Sequence, residues 1–204
     1  MRRPAPDLRL GAWLAIVATL LLLVCRGAVA VEPVFPALSG RVVDEAGLLS
    51  AAERERLTAQ LAAHEQATGQ QVVVVTLRSL QGYPIEDFGY RLGRAWGIGE
   101  KGKNTGALLI VSPTERAVRI EVGYGLEGLL TDALSRSIIE RDILPAFRQG
   151  QFARGIMDGT SAMLVALGGS AAAPSRNTSP VPAARLSRTV PYRVSSTGTA
   201  LRAA

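Results

Sequence analysis

Apolar side chains recur at every second position between residues 116 and 122, where Arg119 and Glu121 separate them. A period of two is typical of a strand with one buried face and one solvent face, so the pattern predicts a half-buried strand at 116–122. Two other apolar runs, 71–77 and 107–111, lack this alternation and predict strands that are buried on both faces.

Turn residues connect two of these strands. The sequence Ser-Pro-Thr-Glu at 112–115 favours a tight turn, which predicts an antiparallel hairpin between strands 107–111 and 116–122. Residues 42–43, both valine, could add a short edge strand to the same sheet.

Four segments carry the period of an amphipathic helix. Ser50 and Glu53 form a capping box that begins the first helix, and Gly69 ends it. Pro84 opens the second helix, and Pro145 ends or kinks the third. The apolar faces of the last three helices consist of Ile85, Phe88, Leu92 and Trp96; of Leu134, Ile138, Ile139 and Ile143; and of Phe152, Ile156, Met163 and Leu167. The order of elements predicts a layered α/β domain of about 140 residues.

The net charge of +6 is not distributed evenly along the chain. Residues 1–30 carry four basic groups and one acid, and residues 170–204 carry five arginines and no acid. The intervening 31–169 has 14 basic and 16 acidic residues. A nucleic-acid-binding face on the folded domain is therefore not indicated. The Arg/Ser/Pro/Ala-rich tail, 170–204, has too few large apolar residues to fold alone and is predicted to be disordered.

The N-terminal segment predicts export. Two arginines precede a continuous apolar run, 10–25, and Ala28–Ala30 fits a small-residue cleavage site. This run of 16 residues is shorter than the roughly 20 that a membrane-spanning helix needs. Residues 1–30 are therefore interpreted as a cleaved signal peptide, with a retained N-terminal anchor as the alternative. Cys25, the only cysteine, would leave with the peptide.

A glycine-rich acidic loop, 123–132, follows strand 116–122 and contains Glu127 and Asp132. In the predicted hairpin, the end of this strand lies beside the start of its partner, which places Asn104 near the loop. A set of oxygen donors without nitrogen or sulfur suits a hard cation, Ca²⁺ before Mg²⁺. The loop is therefore a candidate cation site.

Alternatives to this cation site remain open. Asp132 could simply cap the following helix while Glu127 is solvated. Asp44 could reach the cluster through an extended segment, although the geometry does not require it. The match of 123–128 to G-x-G-x-x-G does not indicate a dinucleotide site, because no strand follows the next helix. With His64 as the only histidine, no Ser/His/Asp or Cys/His arrangement is evident, and only metal- or aspartate-dependent catalysis stays possible.

A series of short sequence blocks spans about residues 35–168. The blocks are VDEAGLLS (43–50), WGIG (96–99), NTGALL (104–109), RIEVGYGLEG (119–128), TD (131–132), PAFR (145–148) and, after Gly150, FARG (152–155). In this order they resemble the TPM domain family, whose name combines a thylakoid-lumen phosphatase, a photosystem II repair protein and a nematode receptor modulator.

The resemblance implies a three-layer α/β/α sandwich around a small mixed sheet, in an extracytoplasmic compartment. It also implies a divalent cation, usually calcium, which Asp44, Asn104, Glu127 and Asp132 would hold here. Acid phosphatase activity is ascribed to the plant branch of the family. Many bacterial relatives continue into a transmembrane helix and a Gly-rich tail, whereas this chain continues into the Arg/Ser/Pro/Ala-rich segment 170–204.

The leading hypothesis is a non-catalytic, calcium-binding domain in the periplasm or facing a membrane. It would act as an interaction or assembly module for an envelope or membrane protein whose identity is unknown, with membrane association through the N-terminal segment as an option. The alternative is a metal-assisted acid phosphatase, in which Ca²⁺ or Mg²⁺ polarises a phosphomonoester and an acidic residue positions water.

Overall fold

A mixed sheet carries the fold, and its strands lie side by side in the order in which they occur along the chain. The computed structural model describes residues 32–168 and the backbone of residues 193–194. The strands are β1 (Val42–Asp44), β2 (Gln71–Thr76), β3 (Gly106–Ser112), β4 (Ala117–Val122) and the two-residue β5 (Arg193–Val194). β1, β2 and β3 are parallel, β4 is antiparallel to β3, and β5 is parallel to β4. The predicted hairpin and the short edge strand are therefore confirmed.

Helices connect and cover these strands. They are α1 (Ala51–Thr68), α2 (Ile85–Trp96), α3 (Asp132–Ile138), α4 (Leu144–Arg148) and α5 (Phe152–Ala166), with a π-helical turn (Ile139–Ile143) between α3 and α4. The predicted capping box begins α1: the Glu53 amide donates to Ser50 Oγ at 3.3 Å, and the Ser50 amide donates to Glu53 Oε2 at 2.7 Å. Gly69 ends the helix in the left-handed conformation, with φ of 72°.

Two hydrophobic cores lie on opposite faces of the sheet. On one face, α1, α3, the π-helical turn, α4 and α5 pack against strand residues such as Leu109 and Ile120. On the other face, α2 packs through Phe88 against Leu108 and Ile110. Full burial of a side chain such as Phe88 stabilises the fold by about 1.5–3 kcal/mol. The arrangement is a three-layer α/β/α sandwich around a mixed sheet, as the resemblance implied.

β4 differs from its prediction, because both of its faces are buried rather than one. Arg119 and Glu121 are only 3 % and 1 % exposed. They lie beneath α2 at Gly89, where an added Cβ would be 2.7 Å from Ile110 Cδ1 and 3.6 Å from Glu121 Oε2. The absence of a side chain at Gly89 lets α2 cover the charged face of the strand. The alternation along β4 thus separates an apolar buried face from an ionic buried face.

Of the two outcomes predicted at Pro145, a helix end or a kink, the helix end does not occur, since the chain stays helical from α3 through the π-helical turn into α4. Pro145 lies in the first turn of α4 rather than ending the helical segment. A π-helical turn changes the hydrogen-bond pattern just before it, so the missing N–H of proline is tolerated there. Gly159 of α5 contacts this region closely: an added Cβ would lie 2.3 Å from Ile143 Cγ1.

The strands begin and end along two opposite edges of the sheet, which differ in the chain segments that they carry. β1 and β2 end at one edge, where Asp44 pairs with Thr76. β3 begins and β4 ends at the opposite edge, where Gly106 and Val122 lie. The acidic loop that follows β4 therefore starts at the edge opposite to Asp44.

Residues 34–36 are fastened to the α2 layer. The Val34 amide donates to Gln81 Oε1 at 2.9 Å, and Gln81 Nε2 donates to the Val34 carbonyl at 2.6 Å. The Phe35 ring meets the Phe88 ring edge to face, with ring centroids 5.2 Å apart. Gln81 belongs to the connection between β2 and α2, at the edge of the sheet where β2 ends.

The predicted signal peptide, 1–30, lies outside the described residues, and so does the predicted tail, 170–204, except for β5. Within the described ranges, no helix combines the length and the apolar character that crossing a membrane requires.

Candidate functional site

Backbone hydrogen bonds fasten the acidic loop to the start of β3. The Gly123 amide donates to the Gly106 carbonyl at 2.7 Å, and the Gly125 amide donates to the Asn104 carbonyl at 3.2 Å. The Leu126 amide then donates to the Gly123 carbonyl at 2.8 Å, which closes a 3₁₀ turn. As the hairpin predicted, the start of the loop lies against Asn104.

The glycines at the start of the loop are required by close packing. A Cβ on Gly123 would lie 2.3 Å from the Asn104 carbonyl oxygen, and a Cβ on Gly125 would lie 2.1 Å from the Lys103 carbonyl oxygen. Gly128 differs, because an added Cβ there would meet nothing within 4 Å. Only the first two glycines allow the two backbone segments to approach this closely.

The predicted ligands on this edge have different degrees of exposure. Asn104 and Glu127 are half-buried and Asp132 is exposed. Asn104 has a left-handed backbone, with φ of 52°, a conformation that asparagine tolerates better than most residues. Asp132 does not cap α3, because Thr131 is the N-cap and its side chain accepts from the Leu134 amide at 3.3 Å. The alternative that gave Asp132 the capping role is therefore wrong.

Asp44 is not brought together with the other three residues. It lies where β1 ends, at the opposite edge of the sheet. Its carboxylate accepts from the Leu48 and Leu49 amides, each at 3.0 Å, and from the Thr76 hydroxyl. These contacts hold the segment between β1 and α1 in place. Parallel pairing with β2 places Asp44 at the edge remote from the acidic loop, and the cation site of Asp44, Asn104, Glu127 and Asp132 stays a prediction.

Replacing Asp44 tests this structural role. Asp44→Ala leaves two backbone amides without their acceptor, so we expect the free energy of unfolding to fall by about 2 kcal/mol. Urea unfolding measures this loss, and Glu45→Ala, an exposed neighbour, should be near neutral. The loss should be equal with and without calcium. A loss that appears only with calcium present would show instead that Asp44 binds the ion.

The sequence pattern pairs Arg119 with Glu121 on one strand face but did not predict that this ion pair is buried. Arg119 Nε donates to Glu121 Oε2 at 2.5 Å, while Glu121 Oε1 has no hydrogen-bond partner within the described residues. Burial raises the pKa of Glu121, Arg119 opposes this, and the charges of Asp132 and Glu86 raise the pKa further. The period-two pattern predicts that Arg119 and Glu121 share the solvent face of the strand; they do share one face, but α2 covers it.

The donors at this edge are oxygen atoms of carboxylates, an amide and backbone carbonyls. His64 lies on α1, where its Nε2 is 3.0 Å from Gln70 Oε1. In the described part of the chain, no group of three or more His, Cys, Asp or Glu side chains is arranged to hold a metal ion. A cation at the loop would therefore need Asn104, backbone carbonyls or water beside Glu127 and Asp132, a composition that suits calcium.

Two large apolar side chains of the loop are exposed. Tyr124 is 67 % exposed and Leu129 is 48 % exposed, and they lie on either side of Glu127 in the sequence. Exposed large apolar side chains of this kind are typical of interaction surfaces.

The fold and the loop define a class of protein. It is an α/β/α sandwich in which an acidic, glycine-rich loop is held at the open end of a β-hairpin, opposite the hairpin turn. The model of the TPM domain matches residues 42–166, more than half of the chain, and the chain therefore belongs to the TPM domain family. No curated protein is similar enough to count as a match.

Solved structures with this fold come from several bacteria. The N-terminal domain of a protein from P. gingivalis is 43 % identical, with a TM-score of 0.60, and the match covers 64 % of this chain and 84 % of that chain. The N-terminal domain of a Corynebacterium glutamicum protein is 21 % identical, with a TM-score of 0.50 and coverage of 73 % and 91 %. A protein from the psychrophilic Bizionia argentinensis is 19 % identical, with a TM-score of 0.52 and coverage of 58 % and 81 %. The last two support the fold alone.

Proposed function

We propose that this TPM domain binds calcium at the acidic loop and acts outside the cytoplasm as an interaction or assembly module. Its partner would be a protein of the cell envelope or its membrane. The observation that carries the proposal is the backbone attachment of Gly123 and Gly125 to the start of β3, which holds a carboxylate-bearing loop against Asn104. The apolar run and the small-residue site in segment 1–30 support export.

The cation part of the proposal rests on donor chemistry. Asn104, Glu127 and Asp132 offer amide and carboxylate oxygens, and the loop backbone adds carbonyl groups. Calcium takes six to eight oxygen ligands in flexible geometry, whereas Mg²⁺ demands a near-ideal octahedron. A surface loop with only two carboxylates and an amide therefore suits the flexible coordination of Ca²⁺ better than that of Mg²⁺.

The interaction part rests on the side chains beside that site. Tyr124 and Leu129 expose apolar surface in the loop that carries Glu127. A partner segment with basic and apolar side chains would match this combination, because charges steer the encounter and the buried aromatic group supplies binding energy. Calcium would then control the interaction by ordering the loop that carries both residues.

Phosphatase activity has less support from the geometry. The arginine nearest to the loop in sequence, Arg119, is buried and bonded to Glu121, so it is not placed to clamp a phosphate group. A cation at the loop could still polarise a phosphomonoester, with Asp132 or Glu127 positioning water.

Calcium titration tests the proposed function. A ligand that binds only the folded state stabilises it by about 2.7 kcal/mol at a hundredfold excess over its dissociation constant. For a domain of this size we expect the melting temperature to rise by roughly 5–10 °C. Asp132→Asn and Glu127→Gln should reduce the rise, whereas Glu55→Gln, exposed on α1, should leave it unchanged.

Two results would contradict this proposal. No rise at millimolar calcium in the wild-type protein would remove the cation site. Release of phosphate from a chromogenic ester that requires the cation, and that Asp132→Ala abolishes, would favour the phosphatase alternative over the interaction module.

A further inference from the structure

A short segment near the N-terminus lies along α2 in the manner of a bound peptide. Residues 33–36, Pro-Val-Phe-Pro, belong to no helix or strand, and we call them the N-terminal strap. Consecutive strap residues contact Gln81 just before α2, Phe88 in the first half of the helix and Trp96 at its last position. The strap therefore follows the length of the helix.

The contacts involve the strap backbone and one of its side chains. Gln81 bonds to both the N–H and the C=O of Val34, and the Trp96 indole Nε1 donates to the Pro36 carbonyl at 2.9 Å. The Phe35 ring packs into the α2 layer, whereas the Val34 side chain is 75 % exposed. Hydrogen bonds to the main chain combined with an aromatic-lined surface are the means by which domains bind extended, proline-containing peptides.

The backbone at Gln81 has a conformation that is unfavourable for its residue type. Gln81 and Gly82 are both left-handed, with φ of 55° and 83°. The Tyr83 amide donates to the Leu80 carbonyl at 3.0 Å, which closes a tight turn around them. Glycine, asparagine or aspartate is preferred at the first central position of such a turn. Strained non-glycine residues cluster at ligand clamps, and the longer side chain of Gln81 makes the two bonds to Val34.

The strap is held weakly enough to be exchanged. Both hydrogen bonds between Gln81 and Val34 lie at the surface, where water competes for the same groups. Phe35 and Trp96 are only partly buried against the core of the α2 layer. A segment with few buried contacts opens locally without unfolding the rest of the domain. Opening of the strap would uncover Trp96 and the Phe88 ring.

We propose that Gln81, Phe88 and Trp96 form a peptide-binding surface, which the strap occupies in cis and which takes an extended segment of a partner protein when the strap opens. The segment that fits has an aromatic residue directly before a proline, because proline restricts the preceding residue to extended backbone and so pre-organises the peptide. The inference goes beyond the proposed function. The surface belongs to the α2 face of the sheet, whereas Leu126 and Leu130 of the acidic loop are buried in the core on the other face.

The experiment adds a fluorescein-labelled peptide with the sequence of residues 32–38 to the full-length chain and measures fluorescence anisotropy. In the wild-type protein the strap competes with the peptide, since a tethered segment acts at an effective concentration of about 1 mM. Phe35→Ala removes the anchor of the strap and leaves the surface intact, so this variant should bind the peptide on the order of tenfold more tightly than wild type. Leu38→Ala, an exposed apolar residue just after the strap, is the matched control and should bind as wild type does.

A second variant keeps the proposal testable if Phe35→Ala does not fold. Val34→Pro removes the N–H that donates to Gln81, and the exposed side chain at this position spares the core, so this variant should also bind the peptide more tightly than wild type. Failure of the folded strap variants to bind more tightly than wild type would reject the peptide-binding surface. Equal binding of a peptide that carries alanine in place of its phenylalanine would reject it as well. All measurements contain a chelator, so their result is independent of the calcium site.

Discussion

Arg119→Met is expected to lower the free energy of unfolding at neutral pH by roughly 3–5 kcal/mol, because it leaves the Glu121 carboxylate buried without its counter-charge. Glu121 is 1 % exposed and sits under Gly89 of α2, so water cannot replace the lost guanidinium without separating the helix from the sheet. Methionine retains most of the apolar volume of the arginine stem, which limits the loss to the charge. Urea unfolding at fixed ionic strength measures the change.

The pH dependence of this loss has a definite sign. Burial already raises the pKa of Glu121 in the folded state, and removal of Arg119 takes away the main opposing charge. A carboxylate with a raised folded-state pKa favours folding when it is protonated, and this contribution disappears as the pH rises through that pKa. The destabilisation by Arg119→Met should therefore be largest at neutral pH and shrink on acidification.

A double variant provides the control. Arg119→Met with Glu121→Leu removes both charges and should recover most of the stability, since an apolar pair in place of a buried ion pair is often neutral or stabilising. A loss that is equal at neutral and acidic pH, or a double variant no more stable than the single one, would contradict the assignment of the effect to an unpaired carboxylate.

Gly125→Ala is expected to destabilise the protein by roughly 2–3 kcal/mol and to weaken any ligand binding at the loop. The added Cβ would lie 2.1 Å from the Lys103 carbonyl oxygen, and a backbone atom cannot rotate away as a side chain can. The loop must therefore separate from the start of β3, which breaks the hydrogen bond from Gly125 to Asn104.

Gly128→Ala is the matched control in the same loop, because an added Cβ there meets nothing within 4 Å. We expect its unfolding free energy to stay within about 0.5 kcal/mol of wild type, or to rise slightly through reduced chain entropy. Chemical denaturation of both variants measures the difference. Equal stability of the two would show that close packing at Gly125 is not what holds the loop.

Local sequence signals predicted much of the fold. The Ser50–Glu53 capping box and Gly69 predicted the two ends of α1, and the helix begins and ends with these caps. The turn residues at 112–115 predicted an antiparallel hairpin, and β3 and β4 pair in this way. Such features depend on hydrogen bonds between residues close in sequence, so a single chain contains the information.

Long-range packing was harder to foresee. The alternation around Arg119 and Glu121 is the same whether the charged face meets water or a helix, and only Gly89, thirty positions earlier, permits the second arrangement. Pro145 predicts that the helix ends or kinks, and the sequence did not show that a π-helical turn before it lets the helical segment continue. The sequence left open whether Asp44 reaches the loop, because its position depends on parallel pairing with β2. Asn104 was placed correctly, since it follows from the hairpin alone.

The attachment of Val34 to Gln81 has a practical consequence. Residue 33 leaves the domain at the edge where β2 ends, which is remote from the edge where Gly123 begins the acidic loop. A linker to a solid support, fused ahead of residue 33, would consequently hold the domain with the Tyr124 side turned toward the solution. Immobilised in that orientation, the protein could be used to capture binding partners without shielding the residues proposed to meet them.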